Sequence, residues 1–434
     1  MSYDATRDAE QLRRLDAAIT AFIATRNNLP APAGGRQTIF LFPGGMGSKL
    51  VRATQAYDEN QPQPQQFVYE PVWLAHDTFL GGAAQLEMTR TGPEEYRDQD
   101  DCIVIADGLV DLEGISPYSG FTRWCTTKQL DCFVLGYDWR RKMQHVGNFF
   151  VDTFLPHFQQ RVRAESNDGS DPLANFSLVG HSAGGMVVNW ILRKNDAILN
   201  GMTRAITVAT PFYGYAGQVH RWFEGEASLN GLDDEHKADI IRTICSLPAC
   251  YAWQFIDDPT YTANSAAFVA DAPFGLASYP SVDSGDGAVA DPYNPQTRVV
   301  NGVTLTRYPT AGFDSQELAD ARVFVNQLVG PLTPGQAAKF FNIRGVRGLE
   351  ALGIVAPIPS TTGSVRWGWL PTNGPSPVSD GPRVAGDGTQ PAWTARHLAL
   401  PKANVRTVTG LEMEHAILMS VPRIQNAIGN ILGV

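Results

Sequence analysis

Short apolar segments alternate with segments of helical periodicity along much of the chain. The apolar segments are almost continuously hydrophobic, which is typical of strands covered on both faces of a sheet. They lie at residues 38–42, 131–136, 176–179, 205–209, 339–343 and 403–408. Because helices separate most of these strands, the sequence predicts an α/β fold with a mostly parallel sheet that is covered by helices on both faces.

The departures from this alternation predict the domain organisation. An amphipathic helix at 8–26 precedes a Pro- and Gly-rich break. Residues 51–110 show little periodicity and are interpreted as a long excursion. A second irregular segment, 215–338, is longer than an ordinary loop, and such a segment normally carries function or forms a subdomain. The expected organisation is an N-terminal helix and linker (1–34), a core (35–214 and 339–434) and an inserted cap or lid (215–338).

Composition limits the classes of partner and compartment. The 434 residues carry 44 acidic and 34 basic side chains, a net charge of −10, which argues against binding a nucleic-acid backbone. No run of about 18 apolar residues predicts a transmembrane segment. The polar stretch Met1–Arg14 is unlike a secretory signal, so a cytoplasmic location is expected. The five cysteines form no CxxC pair and are interpreted as buried thiols, although a disulfide between Cys245 and Cys250 stays open.

One strand-to-helix turn carries a candidate nucleophile. Gly180-His181-Ser182-Ala183-Gly184 matches the pattern G-x-S-x-G, which is weak evidence alone. Here it directly follows the predicted strand 176–179 and opens a helix, which is the setting of the nucleophile elbow in α/β-hydrolases. The sequence therefore predicts that fold, with Ser182 as the nucleophile.

A serine hydroxyl needs a base, and the base needs an acid to orient it. The chain order in α/β-hydrolases is serine, acid, histidine, which leaves four histidines: His220, His236, His397 and His415. His415 is preferred because it directly precedes the last predicted helix, where a loop histidine can reach back over the sheet. Asp387, in the turn Gly386-Asp387-Gly388-Thr389, is the preferred acid. Its rivals are Asp380, Glu412 and Glu414.

A glycine-rich turn after the first strand supplies candidate oxyanion donors. Pro43-Gly44-Gly45-Met46-Gly47 exposes backbone N–H groups without bulky side chains, and the N–H groups of Gly45 and Ala183 are the expected oxyanion hole. A phosphate-binding role for this turn is disfavoured, because it matches neither the P-loop nor the dinucleotide-binding pattern. The eight histidines are scattered, so no metal site and no cofactor are predicted.

Taken together, the motifs resemble the lecithin:cholesterol acyltransferase-like family of α/β-hydrolases, in matching order from about residue 38 to 420. The matching segments are Pro43-Gly44-x-x-Gly47-Ser48-x-Leu50, Tyr137-Asp138-Trp139-Arg140, Gly180–Gly184, Ala209-Thr210-Pro211-Phe212-x-Gly214, Ser246–Tyr251, Gly386–Pro391 and Glu414-His415. The tetrapeptide beginning at Tyr137 is the most diagnostic. The resemblance implies a Ser182–His415–Asp387 triad, oxyanion donors at Gly45 and Ala183, and a lid. It also implies acyl esters as substrates, commonly phospholipids, with water or an alcohol as the acceptor.

The expected activity is that of a serine esterase or lipase acting on a small-molecule or lipid ester, including a lactone, through an acyl-enzyme. One alternative is an acyltransferase that passes the acyl group to an alcohol. An alternative of another class is a non-catalytic binding protein, which the complete set of serine, acid and histidine disfavours. Asp138 and Arg140 are interpreted as a buried ion pair beneath the site rather than as substrate contacts.

Overall fold

The structure is a computed structural model of the chain. The residues that it describes are 3–29, 32, 35–55, 67–73, 83–92, 95–98, 102–110, 117–194, 196–214, 234–254, 258–271, 298–300, 303–305, 313–347, 356–359, 365–368 and 386–434. Contacts divide the chain into two units, one made of Met1–Thr207 with Ile428–Val434 and the other of Val208–Ala427.

The described residues form the following strands and α-helices. The strands are β1 (Thr38–Phe42), β2 (Ser48–Gln55), β3 (Phe67–Trp73), β4 (Met88–Arg90), β5 (Tyr96–Asp98), β6 (Ile103–Leu109), β7 (Asp131–Val134), β8 (Phe176–His181), β9 (Met202–Val208), β10 (Arg298–Val300), β11 (Val303–Leu305), β12 (Phe340–Val346), β13 (Ala356–Pro359), β14 (Val365–Gly368) and β15 (Val405–Thr409). The α-helices are α1 (Tyr3–Asn28), α2 (Ser119–Thr127), α3 (Met143–Phe149), α4 (Leu155–Glu165), α5 (Ala183–Lys194), α6 (Asp234–Ser246), α7 (Pro248–Ala252), α8 (Asp258–Val269), α9 (Ser315–Val329), α10 (Pro334–Lys339) and α11 (Pro422–Leu432).

A sheet with the strand order β9-β8-β1-β7 lies at the centre of the first unit. β1 pairs in parallel with β7 on one side and with β8 on the other, so that Thr38 lies beside both Asp131 and Phe176. All five residues of β1 are buried, which explains why its sequence is apolar without alternation. The Phe40 ring packs against five other phenylalanine rings, at centroid distances of 5.1–6.3 Å.

Helices flank this sheet and supply most of those rings. α1 buries Leu15, Ile19, Phe22 and Ile23, the apolar positions that predicted its amphipathic face. Between α3 and α4 the chain forms a π-helix at Phe150–Phe154. Pro156 lies two residues after its end and has no N–H to donate to a preceding carbonyl, so the regular α-helical pattern is interrupted ahead of the proline.

Residues 51–110, interpreted as a long excursion, contain strands that the sequence did not predict, in sheets separate from the one that contains β1. β2 pairs antiparallel with both β3 and β6, and β4 pairs with β5. The register of β2 shifts near Leu50 in both of its pairings. Such an irregularity breaks the two-residue alternation by which a half-buried strand is recognised, which is why the sequence pattern was missed.

The second unit contains a parallel pair, β12 with β15, in which Ile343 lies beside Arg406. Just after β9, the N–H of Ala209 donates to the Ile343 carbonyl at 2.9 Å. Two antiparallel pairs, β10–β11 and β13–β14, lie in the same unit. The start of α10 is fixed by a capping box in which the Thr333 and Gln336 side chains each bond the other residue's N–H.

These elements confirm the expected α/β class, with parallel strands flanked by helices. The domain boundaries at 34/35, 214/215 and 338/339 stay predictions. No helix among the described residues is long and apolar enough to cross a membrane. None of the five cysteines forms a disulfide, Cys245 and Cys250 included, and all except Cys132 are buried.

Candidate active site

Ser182 occupies a strained turn between β8 and α5. Its φ of 53° is in the left-handed region, which a residue with a side chain adopts at a cost in energy. β8 is buried over its whole length and ends at His181, and α5 begins at Ala183, so a single residue reverses the chain from strand to helix. This is the geometry expected of a nucleophile elbow.

Two glycines allow the backbone to close around this turn. A Cβ atom on Gly180 would lie 2.5 Å from the Gly184 carbonyl oxygen, and one on Gly184 would lie 2.3 Å from the Phe42 carbonyl oxygen. Real Cβ atoms essentially never approach other atoms so closely. The first turn of α5 therefore packs directly against the end of β1, and the motif needs glycine at both positions.

Gly184→Ala is expected to lower the free energy of unfolding by about 2 kcal/mol or more, because the new methyl group meets fixed backbone atoms on β1. Chemical denaturation followed by circular dichroism measures the effect. Gly330→Ala is the control: its Cβ would meet atoms no nearer than 3.4 Å, and a change within about 0.5 kcal/mol is expected. Equal stability of the two variants would contradict the packing argument.

The glycine-rich turn after β1 lies against the elbow. A Cβ on Gly44 would lie 3.0 Å from the Cβ of Ser182. The Gly44 N–H donates to the Tyr118 hydroxyl at 2.6 Å and is thereby occupied. Gly45 is partly exposed, and within the described part of the chain no hydrogen bond uses its N–H. Ala183 begins α5, and the first N–H groups of a helix have no partner within it.

Tyr118, which no sequence motif indicated, connects the glycine-rich turn to the elbow. Its hydroxyl accepts the Gly44 N–H and lies 3.0 Å from Nδ1 of His181, the residue before Ser182. Burial raises the pKa of Tyr118 far above its ordinary value, so the phenol stays protonated. The residue immediately precedes α2, and nothing in its sequence neighbourhood marks a role. Only the fold reveals it.

The segment Tyr137–Arg140, the most diagnostic of the motifs, makes hydrogen bonds to both ends of the glycine-rich turn after β1. The Tyr137 hydroxyl donates to the Pro43 carbonyl at 2.8 Å. The Tyr137 N–H donates to the Ser48 hydroxyl, and the Trp139 indole N–H donates to the Ser48 carbonyl. These bonds fix both ends of the turn in the first unit.

Arg140 is fully buried in an ion-pair network, as the sequence interpretation favoured. It bonds both oxygens of Asp138 and an oxygen of Asp98, and it donates to the Leu86 carbonyl. Burial alone would lower the pKa of Arg140, but the two carboxylates raise it above its ordinary value. The network joins the segment after β7 to Leu86 and Asp98.

Asp387 and His415 are brought together in the second unit. Nδ1 of His415 lies 2.8 Å from Oδ2 of Asp387, and the His415 N–H donates to the Asp387 carbonyl at 2.9 Å. The other carboxylate oxygen accepts the N–H groups of Thr389 and Gln390, at 3.1 and 2.7 Å. A carboxylate accepts at Nδ1, so Nδ1 is the donor of this pair, and in the neutral imidazole the lone pair then belongs to Nε2.

The rival carboxylates that the structure describes are engaged elsewhere. Glu414 pairs with Arg347 at 2.6 Å, and Glu412 pairs with Arg423 at 3.3 Å. Asp380 lies outside the described residues.

Of the rival histidines, His397 is completely buried, and its Nε2 lies 2.9 Å from the Leu328 carbonyl between the rings of Phe212 and Phe340. His220 lies outside the described residues. His236 belongs to α6, but its side chain lies outside what the structure describes.

Comparison with known proteins identifies the fold. No family model matches the chain, and no curated protein matches it. Among solved structures, the chain is similar to one in the crystal structure of the Tle4–Tli4 complex, with 14% sequence identity over 92% of this chain and 99% of that chain and a TM-score of 0.54. Kex1Δp, a prohormone-processing carboxypeptidase from Saccharomyces cerevisiae, matches with 10% identity over 89% of this chain and 68% of its own, but its TM-score of 0.18 carries no argument. The sheet and the likeness to Tle4 together show that the chain has the α/β-hydrolase fold.

Proposed function

We propose that this protein is a serine hydrolase that cleaves carboxylic esters through an acyl-enzyme intermediate. The observation that carries the proposal is the conformation of Ser182, a non-glycine residue at φ 53° between a buried strand and a helix. Strain of this kind is retained where function requires it, and in this fold the residue at this turn is the nucleophile.

In the proposed mechanism, Nε2 of His415 takes the proton from the Ser182 hydroxyl as its Oγ attacks the carbonyl carbon of the ester. Asp387 keeps the proton of the neutral imidazole on Nδ1 and stabilises the imidazolium that forms. The tetrahedral intermediate collapses, and the departing alkoxide takes the proton from His415. Water then attacks the acyl-enzyme with His415 as the base, which releases the carboxylic acid and regenerates Ser182.

The N–H groups of Gly45 and Ala183 are the proposed donors to the oxyanion of both tetrahedral intermediates. Gly44 lies against Ser182, and Gly184 packs under the end of β1, so the two donor segments belong to one packed cluster. The Gly44 N–H is taken by Tyr118, which leaves the next N–H in the turn for substrate. One such donor contributes roughly 3 kcal/mol of transition-state stabilisation.

A covalent probe tests the proposal on the whole chain. The purified protein is treated with a fluorophosphonate, and its intact mass and labelled peptides are measured. One phosphonyl group on Ser182 is expected, with parallel loss of p-nitrophenyl butyrate hydrolysis, because only an activated serine attacks phosphorus readily. A heat-denatured sample is the control. The proposal would be contradicted if the protein were not labelled and if it hydrolysed none of the short-chain, phospholipid and lactone esters.

Tyr118→Phe is expected to lower kcat by roughly tenfold with KM changed less than twofold. Direct loss of an oxyanion donor reduces kcat by about 10²–10³-fold, and Tyr118 acts one hydrogen bond away, through Gly44. The effect falls on kcat because the oxyanion exists in the transition state and not in the bound ester. Steady-state kinetics with p-nitrophenyl esters measure both constants.

Tyr69→Phe is the matched control, since its hydroxyl bonds Glu10 and takes no part in the glycine-rich turn. Wild-type constants are expected for it. If Tyr118→Phe has the same kcat and KM as this control, Tyr118 does not position the glycine-rich turn that carries the Gly45 N–H.

A further inference from the structure

A polar cavity of about 360 Å³ opens in the first unit between the start of α1 and the helical segment 143–154. Its volume is within the range of small-molecule sites. The residues that line it are Asp4, Arg7, Asp8, Arg141, His145, Asn148, Phe149, Asp152 and Thr153. None of them belongs to the proposed ester-cleaving machinery.

Two buried guanidinium groups on this lining have uncommitted donors. The Arg141 side chain is 2% exposed, and its Nε and Nη1 atoms have no hydrogen-bond partner among the described residues. The Arg7 side chain is 8% exposed, and its Nε likewise has no partner within the described part of the chain. A buried donor without an acceptor reduces stability, so these three atoms need an acceptor that the described residues do not supply.

The carboxylates around the cavity are already paired. Asp4 bonds Arg141 through Nη2, Asp8 bonds Arg7 through Nη2 at 2.5 Å, and Asp152 pairs with Lys194 at 3.0 Å. Asp4 and Asp8 are also about one-third exposed, at 35% and 31%, so water screens their charge. Because these carboxylates are already paired, they leave the guanidinium N–H donors of Arg7 and Arg141 that have no partner without an acceptor.

A further lining residue adds to this donor excess. The Asn148 amide oxygen accepts the Trp190 indole N–H at 3.0 Å, which leaves the NH₂ group, a pure donor. A ligand that matches such a lining has several acceptor oxygens and no obligatory donor of its own. A tetrahedral oxyanion has this property, and guanidinium groups are its preferred partners.

The electrostatics of the two arginines point in the same direction. Burial lowers the pKa of Arg7, and the neighbouring positive charge of Arg141 lowers it further, while Asp8, Asp138 and Asp4 offset part of this effect. Two like charges held close together away from water repel each other, and an anion between them would relieve the repulsion. The adjoining π-helix at Phe150–Phe154 begins next to the lining residue Phe149, and π-helical turns often accompany ligand sites.

We propose that this cavity binds a small phosphate-class oxyanion, either free phosphate or a phosphomonoester group, between Arg7 and Arg141. The N–H groups of the two guanidinium groups and the NH₂ group of Asn148 donate hydrogen bonds directly to its oxygens. The net charge of −10 repels anions at long range, so the affinity comes from these short-range contacts.

Isothermal titration calorimetry with inorganic phosphate, in chloride buffer at constant ionic strength, tests the proposal. One site with a Kd on the order of 1 mM is expected. Arg7→Gln and Arg141→Gln should each weaken binding at least tenfold. Arg161→Gln is the matched control because its guanidinium pairs with Asp16 and Glu165 outside the cavity, and wild-type binding is expected. Because Arg141→Gln can fail to fold, Arg7→Lys and Asp4→Asn accompany it.

Arg7→Lys removes the Nε donor, and weaker binding is expected. Asp4→Asn leaves both guanidinium groups in place and removes a competing anion, so equal or tighter binding is expected. Titration with glycerol 3-phosphate distinguishes a phosphomonoester from free phosphate. No binding by the wild-type protein at 20-fold the expected Kd overturns the proposal, as does equal binding by Arg7→Gln, Arg7→Lys and wild type or equal affinity for acetate.

Discussion

Replacing Ser182 with alanine is expected to reduce kcat/KM for p-nitrophenyl ester hydrolysis by roughly 10⁵-fold. The loss is large because the hydroxyl oxygen forms the covalent bond, and no neighbouring group replaces it. The unfolding midpoint should stay near that of the wild type, because alanine meets the same strain at φ 53° as serine does. Continuous kinetics and thermal denaturation measure the two quantities on one preparation.

Ser177→Ala controls for the loss of a serine hydroxyl near the elbow, because Ser177 lies in β8, the strand that ends at the residue before Ser182. The Ser177 hydroxyl accepts a hydrogen bond from the Gln37 side chain at 3.1 Å and lies five residues before Ser182. We expect this variant to keep its kcat/KM while losing about 1 kcal/mol of stability. If Ser182→Ala retains more than a few per cent of the activity, another residue is the nucleophile and the proposed mechanism is wrong.

The parallel strands were predictable because burial on both faces makes their sequences apolar throughout. β1 and β8 were found within two residues at each end, and the turn after β8 follows from its glycines. The antiparallel strands β2, β3 and β6 were not found. The register shift near Leu50 removes the two-residue alternation in β2. In β3, Glu70 and Pro71 interrupt the apolar pattern, so that its sequence resembles that of a loop.

In the candidate site, local motifs predicted the residues that lie in glycine-containing turns. They did not indicate Tyr118, whose role depends on contacts with residues distant in the sequence. Ser182 and Asp387 both lie in glycine-containing turns that the sequence displays. Tyr118 is separated from its partners Gly44 and His181 by more than 60 residues, and a tyrosine before a helix has no distinctive pattern. Contacts of that kind depend on how β1, β8 and α2 pack, which periodicity does not encode.

Asp387→Asn is expected to lower kcat by about 10⁴-fold while the protein stays folded. Thr389 and Gln390 donate two backbone N–H groups to Oδ1 of Asp387, so the asparagine oxygen must stay on that side to accept them. Its NH₂ group then faces Nδ1 of His415 in place of Oδ2. A donor at that position forces Nδ1 to accept, which moves the imidazole proton to Nε2. A histidine protonated at Nε2 cannot take the proton of the nucleophile.

Glu414→Gln is the matched control, because Glu414 is the residue before His415 and pairs with Arg347 at an exposed site. A kcat within about threefold of wild type is expected, since exposed ion pairs contribute little. Fluorophosphonate labelling of Ser182 should slow in parallel with kcat in Asp387→Asn and not in Glu414→Gln. ¹⁵N chemical shifts of the His415 ring report the tautomer directly and should show its change in the asparagine variant alone. The reverse result, a silent Asp387→Asn and an inactive Glu414→Gln, would make Glu414 the orienting acid instead.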